Sequence, residues 1–151
     1  MAYTPFDLTG KTVLVTGGNR GIGYGMAEAM AASNASIAIW GRKADANTEA
    51  VEKLSKLGSG EVKAWQVDVA DEQAVIDATA DVISSLGRID SCFANAGVGF
   101  GAPSFSEMTT EIWRKNMAVN LEGAFWTLRE SVKHMVVRAK AGDPGGSVVG
   151  V

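Results

Sequence analysis

A glycine cluster directly behind a short apolar run carries the first chemistry in this sequence. Gly17-Gly18-Asn19-Arg20-Gly21-Ile22-Gly23 follows Thr12-Val13-Leu14-Val15-Thr16. A strand that turns into a helix leaves backbone N–H groups unpaired at the helix start. Together with the helix dipole they make a seat for an anion. Glycine lets a diphosphate approach where a side chain would block it. The spacing is Gly17-x-x-x-Gly21-x-Gly23 and not the commoner G-x-G-x-x-G. The alternative is a glycine-rich turn without a ligand. Position between a strand and a helix favours the seat.

The end of the second apolar run comes next. In dinucleotide folds a carboxylate about 20 positions past the glycine loop bonds the ribose hydroxyls of NAD. Here the sequence reads Trp40-Gly41-Arg42-Lys43, with a guanidinium and no acid. Arg42 suits a 2′-phosphate through paired, charge-assisted hydrogen bonds. Arg20 could approach the same phosphate from inside the loop. The alternative is that Arg42 and Lys43 are solvated loop charges, but two converging arginines favour NADP over NAD. Asp68, beside Val69 at the predicted end of a third strand, could accept from an adenine amino group or cap the next turn. The local sequence leaves both open. Asn120 falls between Met117 and Leu121 on an apolar helical stripe. A polar group there needs a partner or costs about 1–3 kcal/mol. One outcome is a satisfied structural asparagine that bends its helix. Cys92, inside an apolar run, reads as inert packing. His134, among Lys133 and Arg138, reads as a surface residue.

These residues need elements to position them. Apolar runs predict strands at Thr12–Thr16, Ser36–Trp40, Val62–Val69, Ile89–Ala94 and Ser147–Val151. Helical spacing predicts a helix over Tyr24–Ala32, stopped near Asn34, which tolerates a left-handed cap. Val51, Leu54 and Leu57 mark a second, ended by Gly58. Ala74, Val75, Ala78, Val82 and Leu86 mark a third, closed by Gly87. A glycine-rich loop, Asn95–Ser106, leads to a long helix over Thr110–Ala139. Its seam is Trp113, Met117, Asn120, Leu121, Ala124, Leu128, Val132 and Met135. Strands that are apolar nearly throughout and alternate with helices predict an α/β fold. The expected form is a doubly wound parallel sheet of Rossmann type. Residues 1–151 read as a single dinucleotide-binding domain. Val148, Val149 and Val151 open a strand that wants neighbours on both sides, so the sheet is expected to be incomplete at the C-terminus, as in the front part of a longer protein.

Composition excludes several classes. The 151 residues carry 14 Lys plus Arg against 17 Asp plus Glu, a formal net charge of −3. That argues against a nucleic-acid binder, which needs a basic face. One Cys and one His exclude a disulfide framework and a Cys/His zinc cage. No apolar run reaches the length of a membrane span. Met1–Gly10 has no apolar signal-peptide core. A cytoplasmic protein is expected, with no metal, no membrane and no nucleic acid as partner.

Four motifs in register then carry a resemblance. Thr16-Gly17-Gly18-Asn19-Arg20-Gly21-Ile22-Gly23, Asp68-Val69, Asn95-Ala96-Gly97 and the Val119-Asn120 step resemble the short-chain dehydrogenase/reductase family in order and spacing. Phe6-Asp7-Leu8-Thr9-Gly10-Lys11 is similar to the family's lead-in. The resemblance runs from about Phe6 to Val151 and includes 3-oxoacyl reductase-like members. It implies roles. Gly17, Gly21 and Gly23 would admit the coenzyme's diphosphate, with Asn19, Arg20 and Ile22 lining the loop. Arg42 would stand where NADP-preferring members carry a cation. Asp68 and Val69 would hold adenine. Asn95, Ala96 and Gly97 would pass close to a ribose, with Asn95 tying backbone segments together. Asn120 would hold a water in a proton relay.

The resemblance also implies hydride transfer between nicotinamide and a carbonyl or alcohol, driven by a Ser and a Tyr-x-x-x-Lys step. The only tyrosines, Tyr3 and Tyr24, have no lysine four residues on. Ser147 falls too early for the serine. The sequence therefore suggests the coenzyme half of an NADP-dependent carbonyl reductase, active only in a complete protein. The alternatives are a regulatory NADP-binding module and an inactive truncation. Phe125 and Trp126, beyond the seam of the long helix, together with Met135 suggest a homo-oligomer.

Overall fold

The computed structural model describes residues 6–151; Tyr3 and the first half of the Met1–Gly10 segment lie outside them. The apolar runs form parallel strands β1 (Thr12–Thr16), β2 (Ser36–Gly41), β3 (Val62–Gln66), β4 (Ser91–Ala94) and β5 (Ser147–Gly150). Their order is β3-β2-β1-β4-β5, every neighbour parallel. The order reverses beside β1, so the sheet is doubly wound, and its crevice falls where β1 and β4 diverge.

Strand alternation divides the core. Val13, Val15, Ile37 and Ile39 face α1 (Gly21–Ala32) and α2 (Ala44–Leu54), meeting Ala27, Ala31, Ala50 and Leu54. Leu14, Ala38, Trp40 and Cys92 face the other way. They meet Val75, Ala78 and Val82 of α3 (Glu72–Leu86) and Met135 of α5 (Ala124–Lys140). The expected stops hold: Asn34 has φ +71° and Gly87 has φ +80°. No helix among the described residues is long and apolar enough to cross a membrane.

Several expectations need correction. β3 ends at Gln66, so Asp68 lies in the loop beyond it, and β4 starts at Ser91, although Ile89 is fully buried. α1 starts at Gly21 and not at Tyr24, so two of the three motif glycines build its first turn. α2 stops at Leu54, leaving Leu57 exposed.

The long helix is interrupted. α4 (Thr110–Met117) passes into a π-helical turn, Ala118–Gly123, before α5. A π turn carries an extra residue and rotates the face that follows. Gly123, Thr127, Ser131 and Met135 are the buried residues, while Trp113, Leu121 and Val132 of the predicted seam are exposed. The cause is close approach: a Cβ at Gly123 would stand 2.8 Å from the Val69 carbonyl oxygen. At Gly123 there is no room for a side chain against the loop after β3. Met135 is therefore core and Trp126 packs partly against it, which leaves Phe125, 56% exposed, as the outward aromatic of that trio. His134 is half-buried and not a surface residue; its Nε2 is enclosed without a partner among the described residues. β5 forms an edge, with Val148 and Val149 about two-fifths exposed.

Candidate coenzyme cleft

The C-terminal ends of β1, β2 and β4 open onto a cleft of about 600 Å³. One wall is the glycine loop: Gly17, Asn19, Arg20, Gly21 and Ile22. Gly17 has φ +66° and Gly21 φ +57°, conformations that favour glycine. A Cβ on Gly21 would meet nothing within 4 Å, so this residue faces open space. Gly23 does different work. A Cβ there would collide with Asn95 Nδ2 and the Gly17 carbonyl oxygen. Gly23 is buried and does not line the cleft; it allows α1 to sit against the loop.

α1 begins without a cap. Its preceding residue, Arg20, makes no capping hydrogen bond, and its first turn holds no carboxylate. By contrast, Asp71 accepts from the Ala74 N–H at 3.1 Å to cap α3, and Thr109 accepts from the Ile112 N–H at 3.2 Å to cap α4. The positive end of the α1 dipole is left facing the cleft.

Asn95 and Thr16 join β1 to the loop after β4. Thr16 Oγ1 accepts from the N–H groups of Asn95 (3.0 Å) and Ala96 (2.9 Å). Asn95 Nδ2 donates to the Thr16 carbonyl at 3.0 Å. Thr16, 2% exposed, stands in the sequence as the end of a strand and the start of the glycine motif, and nothing local signals its anchoring role. Asn95, Ala96, Gly97 and Val98 form the facing wall.

A buried asparagine holds the third side. Asn47 donates through Nδ2 to the carbonyls of Gly41 (2.9 Å) and Trp65 (3.1 Å) and accepts from Asn19 Nδ2 at 2.7 Å. A Cβ on Gly41 would strike both asparagine side chains, so glycine is required where this bond crosses β2. Sequence analysis missed Asn47, although the signal was present. It shares an apolar face with Ala50 and Leu54, and a polar residue on such a face must be bonded.

Trp40, Gly41, Arg42, Lys43, Val67, Asp68 and Val69 complete the cleft. Arg20, Arg42 and Lys43 are exposed, and among the described residues no carboxylate pairs with any of them. Val69 is buried. Asp68 Oδ1 accepts from the Ala70 N–H at 3.0 Å, so the turn-capping geometry is present. Its second oxygen is left over for another donor.

Asn120 does not line the cleft and is not on an apolar seam. It is exposed within the π-helical turn, and it grips Val98 from behind: Nδ2 donates to the Val98 carbonyl and Oδ1 accepts its N–H, both at 2.9 Å. Cys92 is fully buried, and burial pushes its thiol up to about 11, as inert packing requires. No metal-binding group of acids, His and Cys exists among the described residues.

Residues 11–151 match the family model described as short chain dehydrogenase. The chain belongs to the short-chain dehydrogenase family. This dehydrogenase-family chain is 35% identical over 137 residues to sorbose reductase from Schizosaccharomyces pombe, a match covering 89% of this chain and 53% of that relative. Its fold overlays NADPH-dependent 3-quinuclidinone reductase from Rhodotorula rubra with a TM-score of 0.86 at 31% identity, covering 96% of this chain and 53% of the other. An NAD⁺-bound xylitol dehydrogenase gives 0.87 at 26% identity, covering 95% and 53%. The chain thus spans about half the length of the relatives it matches. Neighbours of this short-chain dehydrogenase chain include users of both nicotinamide coenzymes.

Proposed function

We propose that residues 1–151 act as the coenzyme-binding unit of an NADP-dependent short-chain oxidoreductase. Its reaction is hydride transfer between the nicotinamide and a small carbonyl or alcohol, in the cytoplasm. What supports NADP over NAD is the unpaired cation group Arg20, Arg42 and Lys43 on the cleft, at the place where a carboxylate would hold the ribose hydroxyls of NAD. The residues fit the coenzyme in other respects. Gly21 leaves open space before an uncapped helix start, which suits the diphosphate. The spare oxygen of Asp68 suits the adenine amino group.

When bound, the nicotinamide supplies the hydride. The chain's own residues bind and orient. Arg42 and Arg20 neutralise the 2′-phosphate. Asn95 and Thr16 keep the facing wall at a fixed separation from the glycine loop. Asn120 uses one N–H and one lone pair on Val98, and an amide has another of each. Those remaining sites would hold the relay water. The chain contains no Tyr-x-x-x-Lys step, and we infer that on its own it binds coenzyme without turnover. A second copy would cover the exposed stripe Leu121, Phe125, Val132 and Val136, giving a homo-oligomer.

The test is a titration of this chain with NADPH, followed through the backbone amide resonances of Gly17–Ile22. Saturable shifts in that loop are expected. Unmoved resonances at saturating coenzyme overturn the reading, and carbonyl reduction by the 151-residue chain overturns the inferred lack of turnover.

A further inference from the structure

We propose that Asn116 is a positioning residue of the cleft, forming with Asn120 a two-rung clamp that holds Val98–Phe100 straight as the wall of the coenzyme site. The proposal rests on the reading of the cleft as a coenzyme site. Asn116 Oδ1 accepts the Phe100 N–H at 3.0 Å, and Nδ2 donates to the Phe100 carbonyl at 2.8 Å. Asn120 treats Val98 in the same way at 2.9 Å and 2.9 Å. Each side chain thus imitates a neighbouring strand, engaging both backbone groups of one residue.

The spacing explains why two rungs fit. Four residues advance about 6 Å at the α-helical rise, and somewhat less where α4 passes into the π-helical turn that holds Asn120. Two residues of extended chain advance about 6.6 Å. Asparagines at i and i+4 therefore meet residues at j and j+2 almost in step. Val98 and Phe100 take the helix-facing edge, while Gly97, Gly99 and Gly101 alternate with them. A segment so rich in glycine has much backbone freedom to lose and few side chains to restrain it. The clamp supplies the restraint.

The two rungs are not equivalent. Asn116 also donates through Nδ2 to the Ile112 carbonyl of its own helix at 3.0 Å. Both its N–H groups are committed, and its side chain is locked by α4 before it reaches the loop. Asn120 keeps one N–H free. Asn116 fixes the wall, which leaves Asn120 able to hold the wall and still contact a water. Val98 lines the cleft directly, so slack at Phe100 arises two residues from the cleft wall.

Asn116→Leu keeps the shape and removes the rung. Amide hydrogen exchange at Phe100 should then rise about tenfold or more, while Val98 stays protected by Asn120. The NADPH dissociation constant should rise by about three- to tenfold, since the wall must be ordered on binding. Asn116→Asp keeps the acceptor for the Phe100 N–H and loses the donors; its Phe100 amide should stay protected. A merely structural asparagine would change melting and exchange along α4 without singling out Phe100. Phe100 exchange within about twofold of the parent in a folded Leu variant overturns the clamp. If the Leu variant does not fold, a Phe100 amide in the Asp variant that exchanges as freely as those of Gly99 and Gly101 overturns it. Absence of NADPH binding by the unsubstituted chain would defeat the coenzyme reading alone, because the exchange arm needs no coenzyme.

Discussion

The two ends of the sheet use the same residue types in opposite ways. At the base, where β1, β4 and β5 begin, the charges are paired with one another around Asp90. Asp90 receives Arg88 Nη2 at 2.6 Å, Arg138 Nη1 at 2.9 Å and the Thr12 N–H at 2.9 Å, with Lys11 at 3.7 Å. Arg138 also donates to the Gly145 carbonyl at 2.7 Å, which ties the turn before β5 to α5. At the other end, Arg20, Arg42 and Lys43 have no carboxylate and α1 has no cap. Neutralised charge holds elements together; unneutralised charge beside open space is available to a ligand. Finding both within one small sheet tells which end is framework and which is site.

The sharpest way to break this contrast is to reverse a charge at the open end. Arg42→Asp should raise the dissociation constant for NADPH about a hundredfold, equivalent to about 2.7 kcal/mol, while NADH changes little. Thermal stability should hardly move, because Arg42 contributes no ion pair to the fold. Isothermal titration with both coenzymes checks this. Equal losses for the two would mean that Arg42 does not read the 2′-phosphate.

The base should respond the other way. Asp90→Asn is expected to cost about 2 kcal/mol of stability at neutral pH, because the half-buried Arg88 and Arg138 lose their partner, and to leave NADPH affinity unchanged. Burial alone would raise the Asp90 carboxyl, but hydrogen bonds from Arg88, Arg138 and Thr12 outweigh it and bring it down to about 2. Its unfolded counterpart titrates near 3.9. The stabilisation is therefore full above about pH 4 and is lost as pH falls toward 2. Melting curves of the parent and Asp90→Asn should converge across that window. A gap that persists at pH 2 would remove the carboxylate's charge from the explanation.

The framework was more legible in the sequence than the site. Continuous apolar runs located the strands of the described residues, most surely β1 and β2, because a strand buried on both faces must be apolar nearly throughout, whereas the edge strands β3 and β5 are half-buried and exposed. Asn34 and Gly87 marked their turns because few residues tolerate positive φ. Thr16 and Asn116 carry no local signal for their tasks, since the backbone groups of Asn95, Ala96 and Phe100 that they engage lie 16 to 80 residues away, whereas Asn47 was betrayed by its place on an apolar face. The seam of the long helix was misassigned for a related reason. Periodicity assumes a constant pitch, and the π-helical turn at Ala118–Gly123 changes it just before the helix reaches Val69. Even Gly23 was placed correctly in the motif but given the wrong partner: it makes room for Asn95 and the Gly17 carbonyl, not for the cleft.

The smallest expected effect resolves a choice that the sequence left open. Asp68 caps its turn through Oδ1 to the Ala70 N–H, and its other oxygen is uncommitted. Asp68→Asn keeps a carbonyl oxygen for the turn and replaces the second oxygen with an N–H₂ group, which cannot accept from an adenine amino group. If Asp68 serves both tasks, melting should stay within about 0.5 kcal/mol while coenzyme affinity falls about three- to tenfold, the worth of one hydrogen bond. The loss should be equal for NADPH and NADH, because both carry the same adenine, in contrast to the selective loss at Arg42. Unchanged affinity for both would reduce Asp68 to a turn residue, and the open end of the sheet would then hold the adenine without a hydrogen bond to this carboxylate.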